Sequence, residues 1–139
     1  MDGLSGAASV IAVIDISAKI TAACYQYYKA VKDAKEDIER VQRKAGDITH
    51  ILEKLKLLYS QDKKRLSTTH GLSDSLEQCL RDMEDMRMKL DLGKTRKTMS
   101  RFGFRALKWP FTSKQVDKIV STLEGYEQTF SLALQVDQT

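Results

Sequence analysis

One run of apolar residues constrains the fold more than anything else in the chain. Val31, Ala34, Ile38, Val41, Ala45, Ile48, Leu52, Leu55 and Tyr59 recur at steps of three and four without an omission. That spacing lays one apolar seam along a helix and turns Glu36, Arg40, Arg43, Lys44, Glu53 and Lys54 elsewhere. A helix with a single apolar stripe must bury it against other helices. Asp33 followed by Glu36 resembles a capping box, so the helix is expected over 33–60. A break near residues 28–33 separates it from a preceding apolar block, since fusion would give a rod far longer than a usual helix.

That preceding block carries no charge from Gly3 to Ile14 and contains Val10, Ile11, Val13, Ile14 and Ile16. Its length and alanine content favour a helix over 4–28. Twelve uncharged residues span about 18 Å as helix, short of the roughly 30 Å hydrocarbon core. Asp15 and Lys19, one turn apart, are placed to pair. Residues 61–71 are polar and read as a loop. A third seam follows in Leu72, Leu76, Cys79, Met83, Met86 and Leu90, giving a helix over 73–92 with Gly93 as its stop. The fourth, over 113–136, begins at a Thr112-x-x-Gln115 capping box after Pro110, and Phe111 can staple onto Val116. Its seam is Val116, Ile119, Leu123, Tyr126, Phe130 and Ala133. The expected fold is therefore all-α: a helical bundle of four long helices with a short helical turn within 95–108 in the last connection. The 139 residues fit one domain, and a single proline argues against a turn-rich β-fold.

Between Asp91 and Asp117 stand Lys94, Arg96, Lys97, Arg101, Arg105, Lys108 and Lys114 with no acid. Taking those seven from a net charge of +4 leaves the rest at −3, so the basic character is local. Drawn as a helix, Lys97, Arg101, Arg105 and Lys108 form one stripe and Met99, Phe102, Ala106 and Trp109 another. Basic residues opposite aromatics suit a segment at a membrane surface, with Lys94 and Trp109 extending the lipid-headgroup stripe. The alternative is that Phe102, Leu107, Trp109 and Phe111 plug the end of the bundle while the cations stay solvated; the two can hold together.

No catalytic constellation emerges. Gly93-Lys94-Thr95 lacks the first glycine of a P-loop, where Met88 stands, and follows a helix rather than a strand. His50 and His70 are isolated, and no metal-ligand spacing is found. Asp82, Glu84 and Asp85 read as a solvated face. Neither an enzyme nor a cofactor or metal protein is expected. Nucleic acid is not an expected partner, because the basic segment comes with no recognition framework. Cys24 and Cys79 lie in apolar helical stretches and are expected as buried thiols of a reducing compartment. The acidic start, Met1-Asp2-Gly3-Leu4, does not look like a secretory leader.

The opening Met1 to Ile14, the stretch Val31-Lys32-Asp33-Ala34-Lys35-Glu36, the run Arg101-Phe102-Gly103-Phe104-Arg105-Ala106-Leu107-Lys108-Trp109-Pro110 and the close Leu134-Gln135-Val136-Asp137 resemble the HeLo-like domains at the N-termini of fungal NLR-like (STAND) proteins. The resemblance covers essentially all of residues 1–139 and implies one domain of a longer polypeptide. It implies a helical-bundle domain of regulated cell death and self/non-self defence, similar to the bundle of mixed lineage kinase domain-like protein. The implied mechanism is self-association driven by downstream receptor domains, release of the N-terminal apolar helix, and damage to plasma-membrane lipids. Such a domain is cytoplasmic at rest and at the plasma membrane when active. On this chain the executing segment falls on Leu4 to Ile20, with Leu4, Val10, Ile11, Val13, Ile14 and Ile16 as its inserting residues. The rival expectation is a non-lytic helical adaptor or oligomerisation module, which keeps the first helix as permanent core.

Overall fold

The computed structural model describes residues 6–61, 72–99 and 108–138, with side chains for 8–58, 72–92 and 108–135. Four helices follow in order: α1 (Gly6–Ala30), α2 (Lys35–Gln61), α3 (Ser73–Met99) and α4 (Ser113–Gln138). The described chain is all-helical, and the expected four-helix bundle is the fold found.

The α2 seam explains the arrangement. Ile38, Val41, Ala45, Ile48, Leu52 and Leu55 are all fully buried, as periodicity demanded, while Val31 and Ala34 sit half-buried in the turn before them. The helix begins two residues past Asp33. The short turn is closed instead by Lys35, whose ammonium donates to the Tyr28 carbonyl and stands 4.1 Å over the Tyr28 ring. This turn makes α1 and α2 antiparallel neighbours, joined midway by a 2.7 Å hydrogen bond between the Ser17 and Thr49 hydroxyls.

Tyr27 sets the place of α3. Its buried hydroxyl donates to the Leu90 carbonyl, which brings the C-terminal parts of α1 and α3 together and makes them parallel. The α3 seam from Leu72 to Leu90 is buried throughout. The helix does not stop at Gly93 but continues to Met99. One helical glycine costs only about 1 kcal/mol, no proline follows it, and Lys94, Arg96 and Lys97 favour the negative end of the helix dipole.

The start of α4 agrees with its sequence signal. The Thr112 amide donates to Gln115 Oε1 at 2.8 Å and the Gln115 amide to Thr112 Oγ1 at 3.1 Å, a closed capping box. Phe111 and Val116, on either side of it, are both buried. Polar contacts then step along α4 and α2 in the same direction: Ser113 donates to Asp37, Arg40 pairs with Asp117 at 2.8 Å, and Lys44 pairs with Glu124 at 3.2 Å and Glu127 at 3.3 Å. The two helices are therefore parallel neighbours. Around the bundle the order is α3, α1, α2, α4, and α3 meets α4 only thinly. Among the described residues the backbones of α1 and α4, and those of α2 and α3, stay more than about 8 Å apart across the bundle's diagonals. This open seam is why only Val116, Leu123 and Phe130 of the α4 seam are fully buried, with Ile119, Tyr126 and Ala133 half-covered.

Candidate functional site

Two parts of the sequence were expected to act, the apolar first helix and the basic connection. In α1, successive side chains advance by about 100°, so neighbours in sequence cannot share a face. The result is visible residue by residue. Val10, Val13 and Ile16 point inward with Ile20, Ala23, Cys24 and Tyr27. Ile14 is half-buried, and Ile11 is 49% exposed. Leu4 lies outside the described residues. Of the six expected insertion residues, three thus belong to the core of the closed bundle and one to its surface.

The inner face is held by more than packing. Ser17 is fully buried, donates to the Val13 carbonyl at 2.8 Å and pairs with Thr49. Burial pushes the Cys24 thiol up to about 12, and the Tyr27 phenol, desolvated and near Asp91, also to about 12. Sequence periodicity gave no sign of the Ser17–Thr49 or Tyr27–Leu90 links, because both depend on which helices become neighbours.

The outer face of α1 is also poor in charge. Ile11, Ala18, Ala22 and Tyr25 are exposed along it, and its Asp15 and Lys19 neutralise each other at 3.1 Å. Lys29 stands 4.8 Å over the exposed Tyr25 ring. From Ala8 to Ala30, 23 residues, α1 is long and apolar enough to cross a membrane by length and composition, although 44% of its most apolar window is buried in the bundle. The charge-free run from Gly3 to Ile14 alone understates this length, because Asp15 and Lys19 are the only charged residues between it and Lys29.

The basic connection is described at its two ends. Lys94 and Lys97 belong to the last turns of α3, with side chains outside the described residues, and Arg101 and Arg105 lie outside them altogether. Lys108 is exposed. Trp109 is half-buried, its ring edge-on to Tyr27 at 5.3 Å and to Phe111 at 5.2 Å. No acceptor among the described residues meets its buried indole nitrogen. Trp109 and Phe111 close this end of the bundle, while Lys108 beside them faces solvent; Phe102 and Leu107 lie outside the described residues.

Elsewhere, α3 and α4 enclose a cleft of about 390 Å³ floored by Met86, Phe111, Ile119 and Leu123. Tyr126 donates from α4 to Asp82 on α3 at 2.5 Å, so Asp82 is a bridging group, whereas Glu84 and Asp85 are solvated. Desolvation, and then the Asp82 carboxylate, push the Tyr126 phenol up. Lys44 is the other convergence of charge. Partial burial disfavours its ammonium, but Glu124 and Glu127 outweigh that and raise its pKa. His50 is exposed on α2, and His70 lies outside the described residues. Among the described residues no three His, Cys, Asp or Glu side chains gather as a metal site would require.

The geometry defines a class: a four-helix bundle whose N-terminal helix buries one apolar face and leaves Ile11, Ala18, Ala22 and Tyr25 exposed beside the Asp15–Lys19 pair. Residues 1–137 match the family described as pigment biosynthesis cluster protein PigL N-terminal, and the chain belongs to that family. No curated protein and no solved structure matches the chain.

Proposed function

We propose that the chain is a non-catalytic, membrane-targeting effector domain, the N-terminal part of a longer receptor of the fungal NLR-like kind, acting by cell killing once α1 is released. The observation that carries this is the outer face of α1. The bundle leaves Ile11, Ala18, Ala22 and Tyr25 uncovered on a helix long enough to span a bilayer. Between Ile11 and Tyr25 its charges are the mutually neutralising Asp15 and Lys19, fewer than an ordinary amphipathic bundle helix presents. Support comes from the resemblance to HeLo-like domains, from the basic connection beside Lys108, and from the family description, which concerns an N-terminal region. The domain rests in the cytoplasm and moves to anionic plasma-membrane lipid when downstream domains cluster it.

A second function, a non-lytic adaptor with α1 as permanent core, is favoured by the inner face: seven apolar side chains from Val10 to Tyr27 are buried to 6% exposure or less. The two differ over whether α1 must leave. The Ser17 and Thr49 oxygens are 2.7 Å apart, so a Ser17→Cys/Thr49→Cys pair can tie α1 to α2. The effector function expects dye leakage from anionic vesicles with wild type under all redox conditions, and with the double variant only after reduction. Leakage by the oxidised, cross-linked protein would rule out release of α1. No leakage by folded wild type, clustered or not, would leave the adaptor.

A further inference from the structure

We infer that two closed bundles pair through the outer face of α1, antiparallel, about a two-fold axis at Ala18. The face carries its own register. Ile11, Ala18 and Tyr25 are spaced by seven residues, and all three are exposed, Ile11 at 49% and Tyr25 at 54%. Half-buried Ile14, Thr21 and Tyr28 take the intervening positions. The result is an a/d heptad pattern along a flank of α1, each position one residue, or about 100°, round from the buried Val10, Val13, Ser17, Ile20, Cys24 and Tyr27, and heptads are the pattern by which helices pair along their length.

The pattern is symmetric about its smallest member. Ile11 and Tyr25 each lie seven residues from Ala18, about 10.5 Å along the axis. An antiparallel second copy centred on Ala18 therefore sets Ile11 of each chain against Tyr25 of the other, and Ala22 against Ile14. Alanine at the crossing lets the backbones approach where the two large pairs flank them. A parallel pair would stack Tyr25 on Tyr25 and Ile11 on Ile11, and would set like charges level with each other.

Charge selects the same arrangement. In the antiparallel register Asp15 of one chain lies about two residues, or 3 Å along the axis, from Lys19 of the other. The pair that is now internal, at 3.1 Å, becomes a four-membered alternating network across the axis. Beside the seam, Ala18, Ala22, Tyr25, Gln42, Gly46 and Thr49 line a shallow groove of about 490 Å³. A Cβ at Gly46 would meet nothing within 4 Å, so packing inside the bundle leaves this hollow unfilled. The pairing deepens the proposed use of the outer α1 face as a contact surface, but it needs neither lipid nor the departure of α1 from its own bundle.

The test is run on the 139-residue chain without lipid. Sedimentation of the wild type should show a monomer–dimer equilibrium, and Ala18→Glu, at an exposed site, should stay monomeric with unchanged circular dichroism. Under mild oxidation Ala18→Cys should form a covalent dimer by itself. Ile11→Cys and Tyr25→Cys should each fail alone and cross-link when mixed. The native Cys24 and Cys79 thiols are buried and do not compete. A wild type that is monomeric at every concentration, an Ala18→Glu dimer, or cross-linking by Ile11→Cys alone each overturns the proposal. Vesicle leakage without dimer would sink this pairing and spare the effector function; dimer without leakage would do the reverse.

Discussion

Lysine placed at Ile11 and, separately, at Val13 distinguishes the two faces of α1. Ile11 is 49% exposed and Val13 is fully buried. Complete burial of a side chain of this kind contributes roughly 1.5–3 kcal/mol, so about 1 kcal/mol is at stake for the bundle at Ile11. A lysine there can keep its stem on the surface and its ammonium in water. Val13→Lys instead buries an unpaired ammonium, which costs several kcal/mol against a total stability of about 5–15 kcal/mol. In lipid the weight falls on Ile11. With the expected executing segment Leu4–Ile20 centred in the bilayer, Ile11 lies next to the midplane, where exchanging isoleucine for lysine costs about 3–4 kcal/mol, a factor of several hundred in binding. Urea melts followed by circular dichroism, with co-sedimentation on anionic vesicles, measure both quantities. Ile11→Lys should melt within about 1 kcal/mol of wild type and lose at least about a hundredfold in vesicle binding; Val13→Lys should be largely unfolded. A folded Ile11→Lys protein that binds vesicles like the wild type refutes insertion through this segment.

Other outcomes follow from the packing. Tyr27→Phe removes the buried donor to Leu90 and should destabilise by about 1–2 kcal/mol, lowering the melting temperature by several degrees. Gly125→Ala should stabilise by about 0.5–1 kcal/mol, because a Cβ there meets nothing within 4 Å and the site is mid-helix; a lower melting temperature would contradict that. Cys24 and Cys79 have folded pKa values raised from 9.0 to about 12 by burial. The protonated thiols favour the folded state fully below pH 9.0, and this contribution should be lost as pH rises toward about 12. Alkaline denaturation curves check this, as does thiol labelling at mild pH, which should be blocked until the chain unfolds.

Much of the fold was legible because helix faces are written locally. The seams from Ile38 to Leu55 and from Leu72 to Leu90 needed only their own spacing, and the Thr112–Gln115 cap only four residues. What depended on neighbours was not legible. Nothing in the sequence says that α4 runs beside α2, so the Lys44–Glu124–Glu127 cluster and the Arg40–Asp117 pair could not be foreseen. Asp82 looked solvated because Tyr126 is 44 residues away from it. The stop at Gly93 failed since a lone glycine is a weak terminator in a run of helix formers. For the candidate site, sequence located α1 but not its division: deleting residues 2–14 would remove Val10 and Val13 from the core, so a substitution at Ile11 is the cleaner perturbation.

The ring cluster at the end of the bundle gives the chain an optical consequence. Trp109 is its only tryptophan, and the two rings edge-on to it come from different helical partners: Tyr27 from α1 and Phe111 from the entry to α4. Emission excited at the red edge of absorption therefore comes from one indole at the joint between these two helices. Withdrawal of α1 would strip away Tyr27, admit water to the buried indole nitrogen and shift the emission to the red, while also removing the nearby phenol as an energy donor. The unmodified protein thus reports the docking of its own first helix, in real time and without a label.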